Sequence, residues 1–194
     1  MLLPSSLVLV AGALSALSAA VVIPEPDKNL QRRTCTTIQP ASIDVLSSSS
    51  PNTPSLGSQF TLSRIDGVDN IISTITFNVP EGSTGCMINI LIPDLTEDNE
   101  IAAGTATQAD VWTVEPWTTS SPPTFNNPPV YDQFVSTTIF PTDTTTEPYS
   151  TVLESNSCSP VMSFLFKLST WQQGNGYVDF TNSPSIGFSL TYNC

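Results

Sequence analysis

Apolar and polar residues alternate in four stretches of this chain, and that period of two restricts its fold more than any other feature. The stretches cover residues 71–79, 86–92, 162–168 and 186–192. A period of two places the apolar side chains of an extended segment on one face, so each stretch predicts a half-buried β-strand. Shorter patterns predict weaker strands at 59–63, 109–114, 134–140 and 176–180.

Nothing in the pattern after residue 20 favours helices. No stretch of ten or more residues there has a convincing helical period, and Ser, Thr and Pro are abundant throughout. Short strands separated by Pro, Gly, Asn and Asp turns are typical of all-β domains. We therefore predict a single antiparallel β-sandwich over residues 59–194, preceded by a Ser/Thr/Pro-rich N-terminal segment at 34–58 that carries Cys35.

The four cysteines, Cys35, Cys86, Cys158 and Cys194, predict two disulfides, because an even count is typical of a stapled secreted domain. Three connectivities are possible, and we favour Cys158 with Cys194 and Cys35 with Cys86. The alternation of residues 186–192 continues to Cys194, and that of 86–92 begins at Cys86. Both side chains are therefore expected to face the core, and the disulfide of Cys194 is expected to hold the chain terminus in place.

Residues 1–20 have the pattern of a signal peptide, with an apolar run at 7–17 and small residues up to a cleavage site after Ala20. The run is shorter than the roughly 20 residues that a membrane span needs. Arg32 and Arg33 predict a second, dibasic cleavage that removes residues 21–33 as a pro-segment. The alternative is that 21–33 is a flexible arm with two solvated arginines. Either way we expect a secreted protein, extracellular or in the cell wall, without a membrane anchor.

Three segments are rich in Ser, Thr and Pro, at residues 47–55, 118–129 and 141–148. Such mixtures predict unpacked surface segments that carry O-linked glycans.

Charge and the absence of one residue type exclude several functions. The chain has five basic and seventeen acidic residues and no histidine. Removal of residues 1–33 leaves two basic residues, Arg64 and Lys167, against fifteen acidic ones, a formal charge near −13. Binding to nucleic acid or to an anionic membrane needs clustered Lys and Arg, so neither is expected. Without histidine, Ser-His-Asp and Cys-His catalysis and histidine metal sites are excluded.

Five motifs in order resemble a known domain. They are ITFNVPEGSTGCMINILIP from residue 75, FNNPP from 125, SCSPVMSFLFKLS from 157, GYVDF from 176 and the final GFSLTYNC. Together they resemble the fungal secreted domain called the ubiquitin-3-binding protein But-two C-terminal domain, over residues 60–194. The resemblance implies a secreted fungal protein, and most members of that family have no assigned activity. The link to ubiquitin-like conjugation in the family name is not expected to apply to a chain with a signal peptide.

Two aromatic residues in turns are candidates for carbohydrate binding. Trp117 lies in a Pro- and Thr-rich segment, and Trp171 precedes a turn that contains Gln172, Gln173 and Asn175. An exposed indole can stack on a sugar ring while the amides bind its hydroxyls. The alternative is that both rings cover the ends of the core, as large aromatic side chains usually do.

Carboxylates offer two further sites. Asp94, Glu97, Asp98 and Glu100 gather in one loop that could bind calcium, although a solvated acidic turn is the commoner reason for such a cluster. Two facing carboxylates could also support glycoside hydrolysis.

We expect a non-enzymatic secreted fungal protein that needs no cofactor and is monomeric. Its partners would be a wall polysaccharide or an extracellular protein. A carbohydrate-binding module is the first alternative and a glycoside hydrolase the second.

Overall fold

The computed structural model describes residues 34–194, so the predicted signal peptide, the 21–33 segment and the cleavage sites at Ala20, Arg32 and Arg33 lie outside the described residues. This part of the chain contains thirteen strands and no helix. The strands are β1 (Thr36–Ile38), β2 (Ser42–Ser47), β3 (Leu56–Gly57), β4 (Gln59–Ile65), β5 (Val68–Asn78), β6 (Cys86–Ile92), β7 (Ala102–Gly104), β8 (Gln108–Val114), β9 (Tyr131–Ile139), β10 (Tyr149–Asn156), β11 (Val161–Leu168), β12 (Gly176–Thr181) and β13 (Gly187–Tyr192). Each of the eight predicted strands is confirmed, while β1, β2, β3, β7 and β10 were not predicted.

The strands form two antiparallel sheets that pack as a sandwich, which confirms the predicted fold class. The smaller sheet has the order β1-β13-β6-β10. The larger sheet runs β7-β12-β4-β5-β11-β8-β9, and β2 pairs with both β5 and β3. In the described residues no helix is long and apolar enough to cross a bilayer.

Aromatic rings fill the space between the sheets. Phe60 of β4 lies with its ring centroid 5.4 Å from Phe166, 5.0 Å from Phe180 and 4.8 Å from Phe188. Ring separations of about 4.5–7 Å are those of favourable aromatic pairs. Phe166 and Phe188 come from the alternating stretches, so the predicted inward faces of β11 and β13 are confirmed.

The outer face of the larger sheet has a second, smaller apolar cluster. Leu46, Ile72, Val114 and Leu165 are buried there, and Trp112 and Phe125 pack against them. The prediction that residues 118–129 remain unpacked is therefore wrong, because Phe125 covers this cluster and Pro123 is buried. The ring of Phe125 and the prolines make the apolar contacts that Ser and Thr side chains cannot make.

The predicted domain boundary at residue 59 is also wrong. β1 pairs with β13, and β2 pairs with β5 from Ser42 to Ser47, so the 34–58 segment supplies strands to both sheets. Ile43 and Leu46 are buried on opposite faces of β2. A strand buried on both faces lacks the apolar and polar alternation that marks a half-buried one.

Two disulfides are present and no described cysteine is free, but the favoured pairing is wrong. The bonds join Cys35 to Cys194 and Cys86 to Cys158. β1 lies beside β13 with Thr36 opposite Tyr192, which brings the first and last cysteines together. β10 lies beside β6 in the same way, with Asn156 opposite Cys86. Pairing between strands, not proximity in sequence, decides the connectivity.

Cys194 does not face the core as expected. Asn193 has a φ of +59°, which turns the chain out of the extended conformation, so the alternation ends at Tyr192 and Cys194 is exposed. Cys86, in contrast, is 1% exposed, as predicted. The terminal disulfide therefore closes the surface end of the β1–β13 pair.

Candidate functional site

The most exposed large apolar side chain in the described residues is Trp171, at 63% of its full accessibility. It lies in the connection between β11 and β12, residues 169–175, here named the Trp171 loop. Exposure of a large apolar side chain to water is unfavourable, and an exposed indole does not stabilise the core. The contacts that hold the loop therefore indicate whether the exposed position is fixed by the fold.

Arg64 of β4 holds one side of the Trp171 loop. Its guanidinium is almost fully buried and donates from Nη1 to the carbonyls of Ser169 at 2.8 Å and Gln172 at 3.1 Å. Nη2 donates to the carbonyl of Leu168, and Nε forms an ion pair with Asp69 Oδ1 at 2.7 Å. The planar fork of arginine suits such a set of acceptors. One buried cation thus fixes the backbone on both sides of Trp171.

Further hydrogen bonds fix the rest of the loop. The Gln172 side-chain oxygen accepts from the Gln108 amide at 2.8 Å. The Asn175 carbonyl accepts from the amides of Thr105 at 2.9 Å and Ala106 at 3.2 Å. The Asn175 side-chain oxygen accepts from the Asp66 amide at 2.8 Å, in the turn between β4 and β5. The loop is therefore held from both neighbouring turns.

Glycine is required where the loop meets β12. A Cβ on Gly176 would lie 1.7 Å from the Ala106 carbonyl oxygen, and Gly174 has a φ of +114° that other residues rarely adopt. The chain therefore approaches the β7–β8 connection more closely than any side chain would allow.

Trp117, the second predicted ring, is almost fully buried and is not displayed for stacking on a sugar. It is 6% exposed, and its indole Nε1 donates to Thr74 Oγ1 at 2.8 Å. The prediction of a sugar-binding role for Trp117 is wrong, and the alternative that the ring covers the core applies to it.

The three amides predicted beside Trp171 have different roles. Gln172 and Asn175 use their side-chain oxygens to hold the loop, as described above. Gln173 is exposed and donates from Nε2 to the Thr170 carbonyl at 3.0 Å. Within residues 34–194, Gln173 Oε1 and Asn175 Nδ2 make no hydrogen bond, so the loop keeps one unused acceptor and one unused donor.

The acidic residues 94–100 do not converge. Glu100 Oε2 accepts from the amides of Thr96 at 2.8 Å and Glu97 at 3.3 Å, and Asp98 Oδ1 accepts from the Thr144 amide at 3.2 Å. In the part of the chain that the structure describes, no three or more Asp, Glu, Cys or His residues form a group that could hold a metal ion. The carboxylates of Glu100 and Asp98 instead close turns, and Asp94 and Glu97 are exposed.

Asp132 of β9 and Glu154 of β10 are a second pair of carboxylates to consider. Burial, together with the negative charge of Asp132, raises the pKa of Glu154 against the opposing effect of a hydrogen bond from Asn156 Nδ2 at 3.1 Å. Asp132 and Asn156 line a cleft of about 170 Å³, but Glu154 does not. Only one of the two carboxylates therefore faces the space that a glycoside substrate would need.

Sequence reasoning missed a group of rings on the outer face of β8 and β9, here named the aromatic face. Trp112 lies 5.3 Å from Tyr131 and 5.2 Å from Phe134, edge to face, and Lys167 Nζ lies 5.5 Å from the Tyr131 ring. Burial and the charge of Asp69 raise the pKa of Tyr131. Register irregularities between β8 and β9 bring these rings together, and no local pattern reveals them.

Compared with known proteins, the chain matches no family model, and no curated protein matches it. The resemblance carried by its five motifs therefore stays a prediction.

Proposed function

We propose that this protein is a secreted, non-enzymatic extracellular protein that binds a polysaccharide through the Trp171 loop. The observation that carries the proposal is the combination of a 63% exposed indole with a backbone fixed by a buried arginine. Flexible loops lose entropy when they bind, and a loop that is ordered beforehand avoids that cost. The hydrogen bonds of buried Arg64 thus hold the loop in a conformation that exposes the apolar ring of Trp171 to water.

The chemistry of the loop suits a sugar. The flat face of an indole can cover the apolar face of a pyranose ring. The indole is rigid, so it loses little conformational entropy when it binds. In the same loop, Gln173 and Asn175 add a free acceptor and a free donor. One ring binds one sugar only weakly. A polysaccharide offers the same binding unit at every repeat, and this multivalency raises the overall affinity.

The disulfides and the family resemblance support the extracellular part of the proposal. Two disulfides are typical of oxidising compartments, which is consistent with an extracellular protein. In this proposal the signal peptide ends at Ala20, a protease cuts after Arg33, and the mature domain belongs to the But-two C-terminal domain family. O-linked glycans would occupy the exposed Ser and Thr residues of 47–55 and 141–148. Sequencing the N-terminus of the secreted protein tests the two cleavages.

A retention experiment on insoluble polysaccharide tests the function. The wild-type protein should be retained by chitin or β-glucan, and Trp171→Ala should lose at least tenfold in retention. The matched control is Phe134→Ala, which removes an aromatic ring that is 50% exposed on the aromatic face. The control should be retained like the wild type. Equal retention of Trp171→Ala and wild type, or no retention of the wild type on any wall polysaccharide, would contradict the proposal.

A further inference from the structure

Almost all the charged side chains in the described part of the chain are acidic. Residues 34–194 contain fifteen acidic side chains, and the basic ones are Arg64 and Lys167. Arg64 is 4% exposed, and its guanidinium pairs with Asp69 and donates to three backbone carbonyls. The Lys167 ammonium lies over the rings of the aromatic face. In this range the Arg64–Asp69 pair is the one ion pair, so the other acidic side chains keep uncompensated charge.

Part of this charge lies next to the Trp171 loop. Asp66, at the exposed tip of the β4–β5 turn, has a backbone amide that donates to the Asn175 side chain at 2.8 Å, so the turn that carries this acidic residue contacts the loop. On β12, Asp179 lies close to Tyr177, which is 45% exposed, and burial followed by the charge of Asp179 raises the pKa of Tyr177. Tyr177 and Asp179 are two residues apart, so an exposed ring and a carboxylate share one face of β12 directly after the loop.

This arrangement distinguishes among saccharides by charge. A cation is attracted to the face of an indole by the ring quadrupole, and a surface of one sign concentrates ligands of the opposite sign. An acidic polysaccharide would be repelled, and a neutral one would gain only the stacking and amide contacts. We infer that the ligand of the Trp171 loop is a cationic polysaccharide, a glucosamine polymer whose amino groups are free. The inference rests on the proposed function and names the ligand class of the same site.

Two soluble oligomers of equal length test the inference, one of glucosamine and one of N-acetylglucosamine. Calorimetry at about pH 5.5, which is above the ordinary pKa of a carboxyl group and below that of an amine, gives both dissociation constants. The amine should bind at least tenfold more tightly at low salt, and the advantage should shrink in about 0.5 M salt, which screens exposed charges. Equal or tighter binding of the acetylated oligomer overturns the inference and leaves the proposed function intact. Absence of binding to both oligomers and to the insoluble polysaccharides contradicts the inference and the proposed function together.

A pair of matched variants separates a site from general attraction between opposite charges. Asp66 has a φ of +53°, which asparagine tolerates, so Asp66→Asn removes the charge and keeps the turn. Glu81→Gln removes an equal charge from an exposed turn between β5 and β6. Asp66→Asn should weaken amine binding several-fold without changing binding of the acetylated oligomer, and Glu81→Gln should change neither. Equal losses in the two variants, or amine binding that survives in Trp171→Ala, would mean non-specific adsorption and overturn the inference.

Discussion

Two connections of this molecule each carry a tryptophan, and the fold treats them in opposite ways. The segment after β8 folds back over the larger sheet, buries Trp117 and satisfies its Nε1 with Thr74. The Trp171 loop, fixed by Arg64, holds its ring in water. The two rings differ in their partners: the indole nitrogen of Trp117 donates to Thr74 Oγ1 in the buried part of the sheet, whereas the backbone carbonyls of the Trp171 loop bind Arg64 and its ring stays exposed. A tryptophan in a connection is therefore buried or exposed according to the partners that distant residues provide.

The largest expected effect separates the two rings by stability. Trp117→Ala removes a buried ring and leaves Thr74 without its donor, so it should lower the free energy of unfolding by about 3–5 kcal/mol. Trp171→Ala should change it by less than about 0.5 kcal/mol, as exposed substitutions usually do. Urea denaturation followed by circular dichroism measures both. Similar losses for the two variants would mean that Trp171 is part of the core.

A second prediction concerns the support of the Trp171 loop. Arg64→Lys keeps the charge but cannot reach Asp69 and three carbonyls at once, so stability should fall by about 2 kcal/mol. Amide hydrogen exchange should rise in residues 169–175, and retention on polysaccharide should fall although Trp171 is unchanged. The control is Lys167→Arg, at the other basic residue of the described chain, which should leave exchange in the loop as it is. Unchanged exchange in Arg64→Lys would refute the role of the guanidinium.

The fold was largely predictable, and the reason is visible in β6. Its residues alternate strictly between buried and less buried, so the local pattern carries the answer. β2 was missed because Asp44, a charged residue, is buried beside Ile43 and Leu46. β10 was missed because its pairing shifts register between Val152 and Glu154, which interrupts the alternation.

The site and the disulfides were less predictable, because both depend on contacts between distant residues. Cys35 meets Cys194 only through the pairing of β1 with β13. Trp117 and Trp171 both lie in polar, turn-rich sequence, and their fates differ because of Thr74 and Arg64, which are far away along the chain. No local sequence pattern distinguishes a tryptophan that the fold buries from one that the fold leaves exposed.

A third prediction concerns the titration of a carboxyl group near the buried Trp117. Asp44 lies opposite Thr74, the partner of Trp117, and its Oδ2 is buried without a hydrogen bond. Burial raises the pKa of Asp44 against a hydrogen bond from the Ser55 amide. A raised folded-state pKa gives a stabilisation that is complete below the unfolded value, near about pH 4, and is lost as the pH rises through the folded value.

Asp44→Asn removes this titration and keeps an acceptor for Ser55. The melting temperature of the variant should therefore fall less than that of the wild type between acidic and neutral pH, and at neutral pH the variant should be the more stable protein. Glu154, whose pKa is raised in the same direction, is present in both proteins and cancels from the difference. Identical pH profiles would contradict the burial of a charged Asp44.

The most direct test of the central claim is tryptophan fluorescence during titration with a soluble oligosaccharide. Trp112, Trp117 and Trp171 are the three tryptophans of the chain, and only Trp171 is largely exposed. The wild-type emission should shift to shorter wavelength as the sugar removes water from the indole, and Trp171→Phe should show no shift. A shift that persists in Trp171→Phe would place the ligand at another ring and contradict the account.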